Sequence, residues 1–395
     1  MTFRQVIVIM CVALLAVGCS QQSKRPDKPS AKAQWNSARA GVLYSLARQQ
    51  YENGNFENCR KTINEALALE PGSSKLHVLM AKLLIEEGRL EPAEKSLQIA
   101  RDLNPADAEI DYFFGVIYQR WQRKEAALAS YEQALAKEPS ELAYLLARAE
   151  MLVSLGRHEQ ALASLEERLA FFENSATIRD FIGQLQMYQG RYQQAVNILR
   201  QAAALAPEDL PIRERLAMAL FYNREYREAA QALERLVANE KHAGRADLFL
   251  ALGECRLQSG DARNARDHFE AASQLDPGST AAWLSLGKVA LELNDTKRAD
   301  LSVKKALSLE PQNPEAHLLL GYVRLRQGQM GDALSAFRKA SALDPADAVS
   351  ICMAGYVLEK QGKATEAMNC YAQALKIKPG DDLASMLMAQ VQVNE

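Results

Sequence analysis

The sequence is short of aromatic residues, which fill only 7% of its 395 positions although 48% are hydrophobic. With Ala and Leu making up much of the apolar remainder, strands rich in Val, Thr and Tyr are disfavoured and packed helices favoured, so the expected class is all-α. An excess of charge of either sign is also missing. Lys and Arg number 47 against 49 Asp and Glu, a balance that argues against nucleic acid as the main ligand. The six cysteines show no CxxC spacing, and Cys59, Cys255, Cys352 and Cys370 are scattered through the chain as small buried hydrophobes would be. Of these only Cys352 and Cys370 are candidates for a bridge. His77, His158, His242, His268 and His317 form no H-E-x-x-H arrangement, and there is no G-x-x-x-x-G-K-[ST] loop. Acidic pairs such as Glu166-Glu167 are adjacent in sequence and point to different helix faces, so they build no acid and base couple. No catalytic residue, metal site or cofactor is therefore expected.

A long apolar run is lacking too. The one that exists, Val6 to Val17, follows Arg4 and ends at Gly18-Cys19. As a helix its twelve residues rise about 18 Å, short of a hydrocarbon core of about 30 Å, which fits a secretory signal better than a membrane span. The segment Leu14-Leu15-Ala16-Val17-Gly18-Cys19 resembles the lipobox of bacterial lipoproteins, with Ala16 where Leu is usual. The resemblance implies a signal peptide at 1–18, cleavage before Cys19 and lipidation of Cys19. Ser20 after the cysteine resembles the form sent to an outer membrane, which places the chain in the bacterial envelope, facing the periplasm. Residues 19–39 read as the lipidated cysteine and a polar, proline-bearing tether, on which the body can swing near its membrane without lying on it.

Beyond the tether a repeat governs everything. Prolines at Pro71, Pro105 and Pro139, and again at Pro277, Pro311, Pro345 and Pro379, are 34 residues apart, and ten units fit between 40 and 381. The eighth position is Gly or Ala throughout, from Ala47 and Ala81 to Gly321 and Gly355. The twentieth is small, from Cys59 and Ala93 to Ala367, and the twenty-fourth is large, as in Tyr131, Phe269, Phe337 and Tyr371. Two helices that cross closely need small residues at the contact and bulky ones beside it, with a proline to end the second. The fourth unit departs from this code at Arg168 and Glu173. The sixth departs at Leu236 and Lys241 and holds a two-residue insertion near 236–245, read as a looser joint. Residues 382–395 are apolar enough to cap the array.

On these residues, and on stretches such as Ala282-Trp283-Leu284-Ser285-Leu286-Gly287, the chain resembles the tetratricopeptide repeat family over about 340 residues. The resemblance implies an α-solenoid of helix pairs in a right-handed superhelix, whose first helices line a concave groove near positions two, five, nine, twelve and thirteen. Carried onto units four to seven, it offers Glu150, Asp180, Gln184, Met187, Tyr188, Glu214, Met218, Phe221, Tyr222, Asp247, Leu250 and Glu254 as a partner-binding groove. These positions hold five carboxylates and no Lys or Arg, so a basic and apolar peptide segment is the expected ligand. Arg48, Lys75 and Lys82 give the outer units mixed charge without the lysine and asparagine clamp of chaperone-docking members. The expected role is a membrane-tethered scaffold for other proteins in an envelope machine, for a pilus, secretion or polysaccharide export. The alternative is carbohydrate or cell-wall binding, which requires Tyr188, Phe221 and Tyr222 to form one flat platform. A domain accessory to an enzyme encoded elsewhere differs from the scaffold only in its partner.

Overall fold

The computed structural model describes residues 30–240 and 242–394, with side chains placed as far as Val391. The expected signal peptide, Cys19 and the expected tether as far as residue 29 lie outside the described residues, as do Lys241 and Glu395. Those described form 21 α-helices and one 3-10 turn, with no strand among them. Two compact units divide the chain between Ser164 and Leu165.

In the first unit, helices Ala31–Glu52, Phe56–Leu69, Ser74–Glu86, Leu90–Leu103, Ala108–Arg120, Lys124–Lys137 and Leu142–Ser154 follow one another as antiparallel pairs. In the second the pairs run from Ala176–Tyr188 and Tyr192–Leu205 to Ala348–Lys360 and Ala364–Ile377, and the single helix Asp382–Asn394 closes the series. Each is a stretch of α-solenoid. From Ser74 onward every first helix opens on the first position of its repeat, and Asp382 keeps the same register. Ala384, Leu387 and Val391 of the closing helix are buried against the last repeat.

The repeat code has local causes. At Asp107, Ser175, Asp209, Ser279, Asn313 and Asp347 a short polar side chain accepts a hydrogen bond from an amide two or three residues on. Each such N-cap contributes about 1 kcal/mol. Where proline follows, the second helix ends two residues before it. Glu70 (φ −138°, ψ 77°) and Asn104 (φ −144°, ψ 83°) have left the helical region, which the proline ring disfavours for its predecessor. The turn inside each pair places its middle residue in the left-handed region, as at Gly88 (φ 74°) and Gly328 (φ 74°), a signal that proline spacing alone does not reveal.

Position eight explains how closely the helices approach. A Cβ built on Gly115 would stand 2.6 Å from Tyr131 Cδ1, and one on Gly253 would stand 2.6 Å from Phe269 Cδ1. Gly321 faces Phe337 and Gly355 faces Tyr371 in the same way. Where position eight is alanine, at Ala47, Ala81 and Ala217, the facing residue in the same core is the slimmer Ile63, Leu97 or Leu233. Glycine stands opposite each of the rings, and also at Gly183 opposite Leu199 and at Gly287 opposite Val303, so the missing methyl lets the helices close to crystal-like density.

Three expectations change. Residues 31–39, read as tether, are helical, because Ser30 caps the helix and Ala31-Lys32-Ala33-Gln34 are good helix formers. In the fourth repeat the second helix stops at Arg168 and runs on as the 3-10 turn Leu169–Phe172. The bulky Arg168 stands in a small-residue slot, and Phe171 is left exposed beneath its guanidinium. The division between units falls in this repeat, at 164/165, and not at the insertion near 236–245. The insertion is a tied turn. His242 and Ala243 amides donate to the Asn239 carbonyl at 2.9 and 3.0 Å, and Leu236 is fully buried in place of alanine.

None of the four cysteines in the repeats is bridged, including Cys352 and Cys370. Burial pushes the Cys255 thiol up to about 12 and that of Cys352 to about 11, consistent with packing roles.

Candidate interaction groove

Four of the five acidic residues placed in the groove by their repeat positions have side-chain partners within the fold. Asp180 is buried, gripped through both carboxylate oxygens by Arg215 of the next repeat, and Gln184 Nε2 donates to its Oδ2 at 2.9 Å. Glu214 accepts from Arg245 Nη2 at 2.9 Å and lies 3.2 Å from His242 Nε2. Arg245 also donates to Asp247, through Nε at 2.8 Å and Nη2 at 2.6 Å. These hydrogen bonds from Arg245 hold the Asp247 carboxyl below its usual range, and the two carboxylates raise the guanidinium in turn. Glu254 accepts from Gln258 at 2.7 Å. Glu150 is exposed and belongs to the first unit, apart from the other eleven.

Three of the five expected groove carboxylates, Asp180, Glu214 and Asp247, are thus paired within the fold by two guanidinium groups, while Glu150 and Glu254 pair with no cation among the described residues. The bases come from a sixth position, Arg215, and from the inserted turn, His242 and Arg245, none of which is a groove position of a first helix. A salt-bridged carboxylate offers much less to a basic ligand than its formal charge suggests, because its field is already compensated.

The apolar candidates also divide. Met187, Met218 and Phe221 are half-buried against the core formed by Leu199, Leu220, Leu233 and Leu252, and Leu250 packs beside Phe269 and Val289. Tyr188 and Tyr222 remain out in solvent, at 72% and 47% exposure, on the thirteenth position of successive repeats. Tyr222 stacks on Tyr192, with centroids 5.3 Å apart and planes 21° apart, while the Phe221 ring stands at 75° to it. Tyr188, Phe221 and Tyr222 therefore do not form the flat platform that sugar stacking requires. Tyr192 escaped the sequence reading because it opens a second helix; the signal was an aromatic thirty residues before Tyr222, across one repeat boundary.

A cleft in the first unit was also missed. Tyr44, Arg48, Tyr51, Lys75, Val78, Lys82 and Glu109 line a volume of 370 Å³. Arg48 pairs with Glu52 at 2.9 Å, and Lys82 pairs with Glu109 beneath its own contact with the Phe113 ring. Burial raises the hydroxyls of Tyr44 and Tyr51. The sequence carried this cleft at positions five, nine and twelve of the first repeat, where mixed charge drew attention away from the two tyrosines. Among the described residues no group of three His, Cys, Asp or Glu could hold a metal ion, and no helix is long and apolar enough to cross a membrane.

Helix pairs in a 34-residue register with small residues at the crossings define the class of helical-repeat proteins. The chain is a tetratricopeptide-repeat protein: tetratricopeptide repeat models match residues 60–113 and 186–255, and a second such model matches 114–176. The model of the cilia and flagella-associated protein 70 C-terminal domain matches 221–395. No curated protein sequence matches the chain. Among solved structures, a chain of the APC/C hetero-tetramer Cut9-Hcn1 is similar at 14% identity and a TM-score of 0.47, over 89% of this chain and 96% of that one. YrrB, a TPR protein with an unusual peptide-binding site, is similar at 22% identity and a TM-score of 0.40, over 48% and 96%. MamA is similar at 20% identity and a TM-score of 0.39, over 42% and 95%.

Proposed function

We propose that this protein is a membrane-tethered scaffold that holds other proteins during assembly of a bacterial envelope machine, lipid-anchored through Cys19 at the periplasmic face of the outer membrane. Its work is binding and not catalysis. The observation that carries the reading is the pair Tyr188 and Tyr222, large rings exposed at the thirteenth position of successive repeats. Exposed aromatics on a rigid helical frame are what interface hot spots are made of. The pairing of Asp180, Glu214 and Asp247 shifts the expected ligand from a strongly basic segment toward an extended, mainly apolar one with fewer basic residues. The outer-membrane placement rests on the lipobox-like Gly18-Cys19-Ser20. A pilus, a secretion channel and a polysaccharide exporter fit this reading equally.

The test is capture of partners from envelope extracts by the chain starting at Ser20, beside a Tyr188→Ser/Tyr222→Ser variant. Glu214 and Phe221 are left unchanged because both hold the fold. A partner bound by the parent and lost by the folded variant supports the groove; equal recovery moves binding to another surface.

A further inference from the structure

The first helix is apolar on two faces. Toward the repeat core it presents the buried Ala40 and Ala47, with Tyr44 and Tyr51 half-buried beside them. Away from that core, Trp35, Arg39, Val42 and Leu46 follow at i, i+4, i+7 and i+11, which aligns them in one stripe along the helix. Trp35 is 57% exposed, Val42 70% and Leu46 43%, and the Arg39 guanidinium lies over the Trp35 ring at 5.3 Å. Val42 and Leu46 hold positions three and seven, which in the third repeat are the buried Ile110 and Phe114 and in the seventh the buried Leu248 and Leu252. The array thus begins on an open repeat face. The helix then continues it: at 22 residues, against 13 for the next first helix, it carries Trp35, Lys32 and Arg39 on turns that the repeat itself does not need.

Charge identifies the occupant. Between Ser20 and Glu52 stand Lys24, Arg25, Lys28, Lys32, Arg39 and Arg48 against Asp27 and Glu52, and Glu52 pairs with Arg48 on the cleft side, which leaves five bases against Asp27. Two copies apposed through this face would set like charges together. A Trp and aliphatic stripe edged by bases is instead the pattern of a helix that lies in the interface of an anionic bilayer, with its cationic heads at the phosphates. The chain leads there as well: Cys19 and Ala31 are twelve residues apart in sequence, a reach of at most about 43 Å.

We propose that the outward face of the Ala31–Glu52 helix docks on an anionic lipid surface, fixing the first repeat against the membrane where a tether alone would let it swing. The proposal rests on the reading of Cys19 as the membrane anchor, and its test is separable from that reading. The chain starting at Ser20 keeps every described residue and has no lipid of its own. Floated with phosphatidylcholine vesicles containing phosphatidylglycerol it is expected to bind, to release with added salt, and to ignore vesicles of phosphatidylcholine alone. A Trp35→Ser/Val42→Ser/Leu46→Ser variant should bind at least about tenfold more weakly, and so should Lys32→Glu/Arg39→Glu, each with the parent's helical circular dichroism and melting.

Failure of the parent to float with anionic vesicles, or equal flotation of parent and serine variant, overturns the proposal. So does a concentration-dependent dimer, seen by light scattering and abolished by the serine variant without any vesicle binding, since that gives the face to a second copy. The mass of the mature chain from cells reports separately on acylation at Cys19, so loss of the anchor reading leaves the vesicle result standing.

Discussion

Gly115 lies flat against the ring of Tyr131, so close that a methyl group at Gly115 would stand 2.6 Å from Cδ1 of that ring. The ring has little freedom to withdraw, because its hydroxyl donates to Gln119 Oε1 at 2.6 Å and its body is buried. Gly115→Ala is therefore expected to destabilise the first unit by about 1–3 kcal/mol, the range for overpacked cores, despite alanine's better helix propensity. Adding Tyr131→Leu should recover much of the loss by recreating the pair found at Ala81 and Leu97. Urea unfolding of the two singles and the double decides it: additive losses would mean that the contact is not the cause.

Gln122 sits in the turn after Trp121 with φ 60°, where most repeats place glycine. A side chain in the left-handed region costs roughly 1 kcal/mol, so Gln122→Gly should stabilise the protein by about that amount. Asn294, with φ 59°, should gain less from the same change, since asparagine tolerates this region better. Thermal melts of the two variants provide the comparison, and a destabilised Gln122→Gly would show that the side chain has a packing role.

The periodic part of this architecture was legible because each rule has a local cause. Proline ends a helix through its own missing amide, and small residues mark crossings through their own size. The turn glycines were equally available, but were overlooked because Gln122, Arg224 and Asn294 interrupt them. The groove was read less well. Counting charges at the groove positions of first helices picked out Asp180, Glu214 and Asp247 but missed Arg215, at the sixth position, and Arg245, in the inserted turn, because which side chain reaches a carboxylate one repeat away is a matter of three-dimensional reach. Position twelve failed in the same way. In Met187 and Phe221 it turns toward the core, and in Gln119 and Glu359 it meets the hydroxyls of Tyr131 and Tyr371, the latter at 2.9 Å.

Arg215 gives a direct measure of the groove's internal pairing. Removing it by Arg215→Met leaves the buried Asp180 carboxylate with only the Gln184 amide, and an uncompensated buried charge of this kind costs about 3 kcal/mol. Asp180→Leu on the Arg215→Met background should return most of that stability. If Arg215→Met alone were neutral, Asp180 would be free to meet a basic ligand and the acidic groove would be restored.

Asp247 is one carboxylate whose ionised form favours the junction between the sixth and seventh repeats. Hydrogen bonds from Arg245 lower its carboxyl below the ordinary 3.8, with partial burial opposing. Because the folded value is the lower one, the pairing stabilises the fold above the unfolded value near 4, and the stabilisation is lost as pH falls through the folded value. Asp300 behaves alike: burial opposes ionisation, but Lys304 and Arg324, each at 2.7 Å, lower its carboxyl overall. Hydrogen exchange is expected to show protection falling at the start of the Ala246–Gln258 helix below about pH 4, before the Gly115 and Tyr131 core opens. An Arg245→Gln variant should lose protection there at neutral pH and show a flatter acid response. An unchanged acid response in that variant would assign the loss to other carboxylates and remove Arg245 as the clamp of the inserted turn.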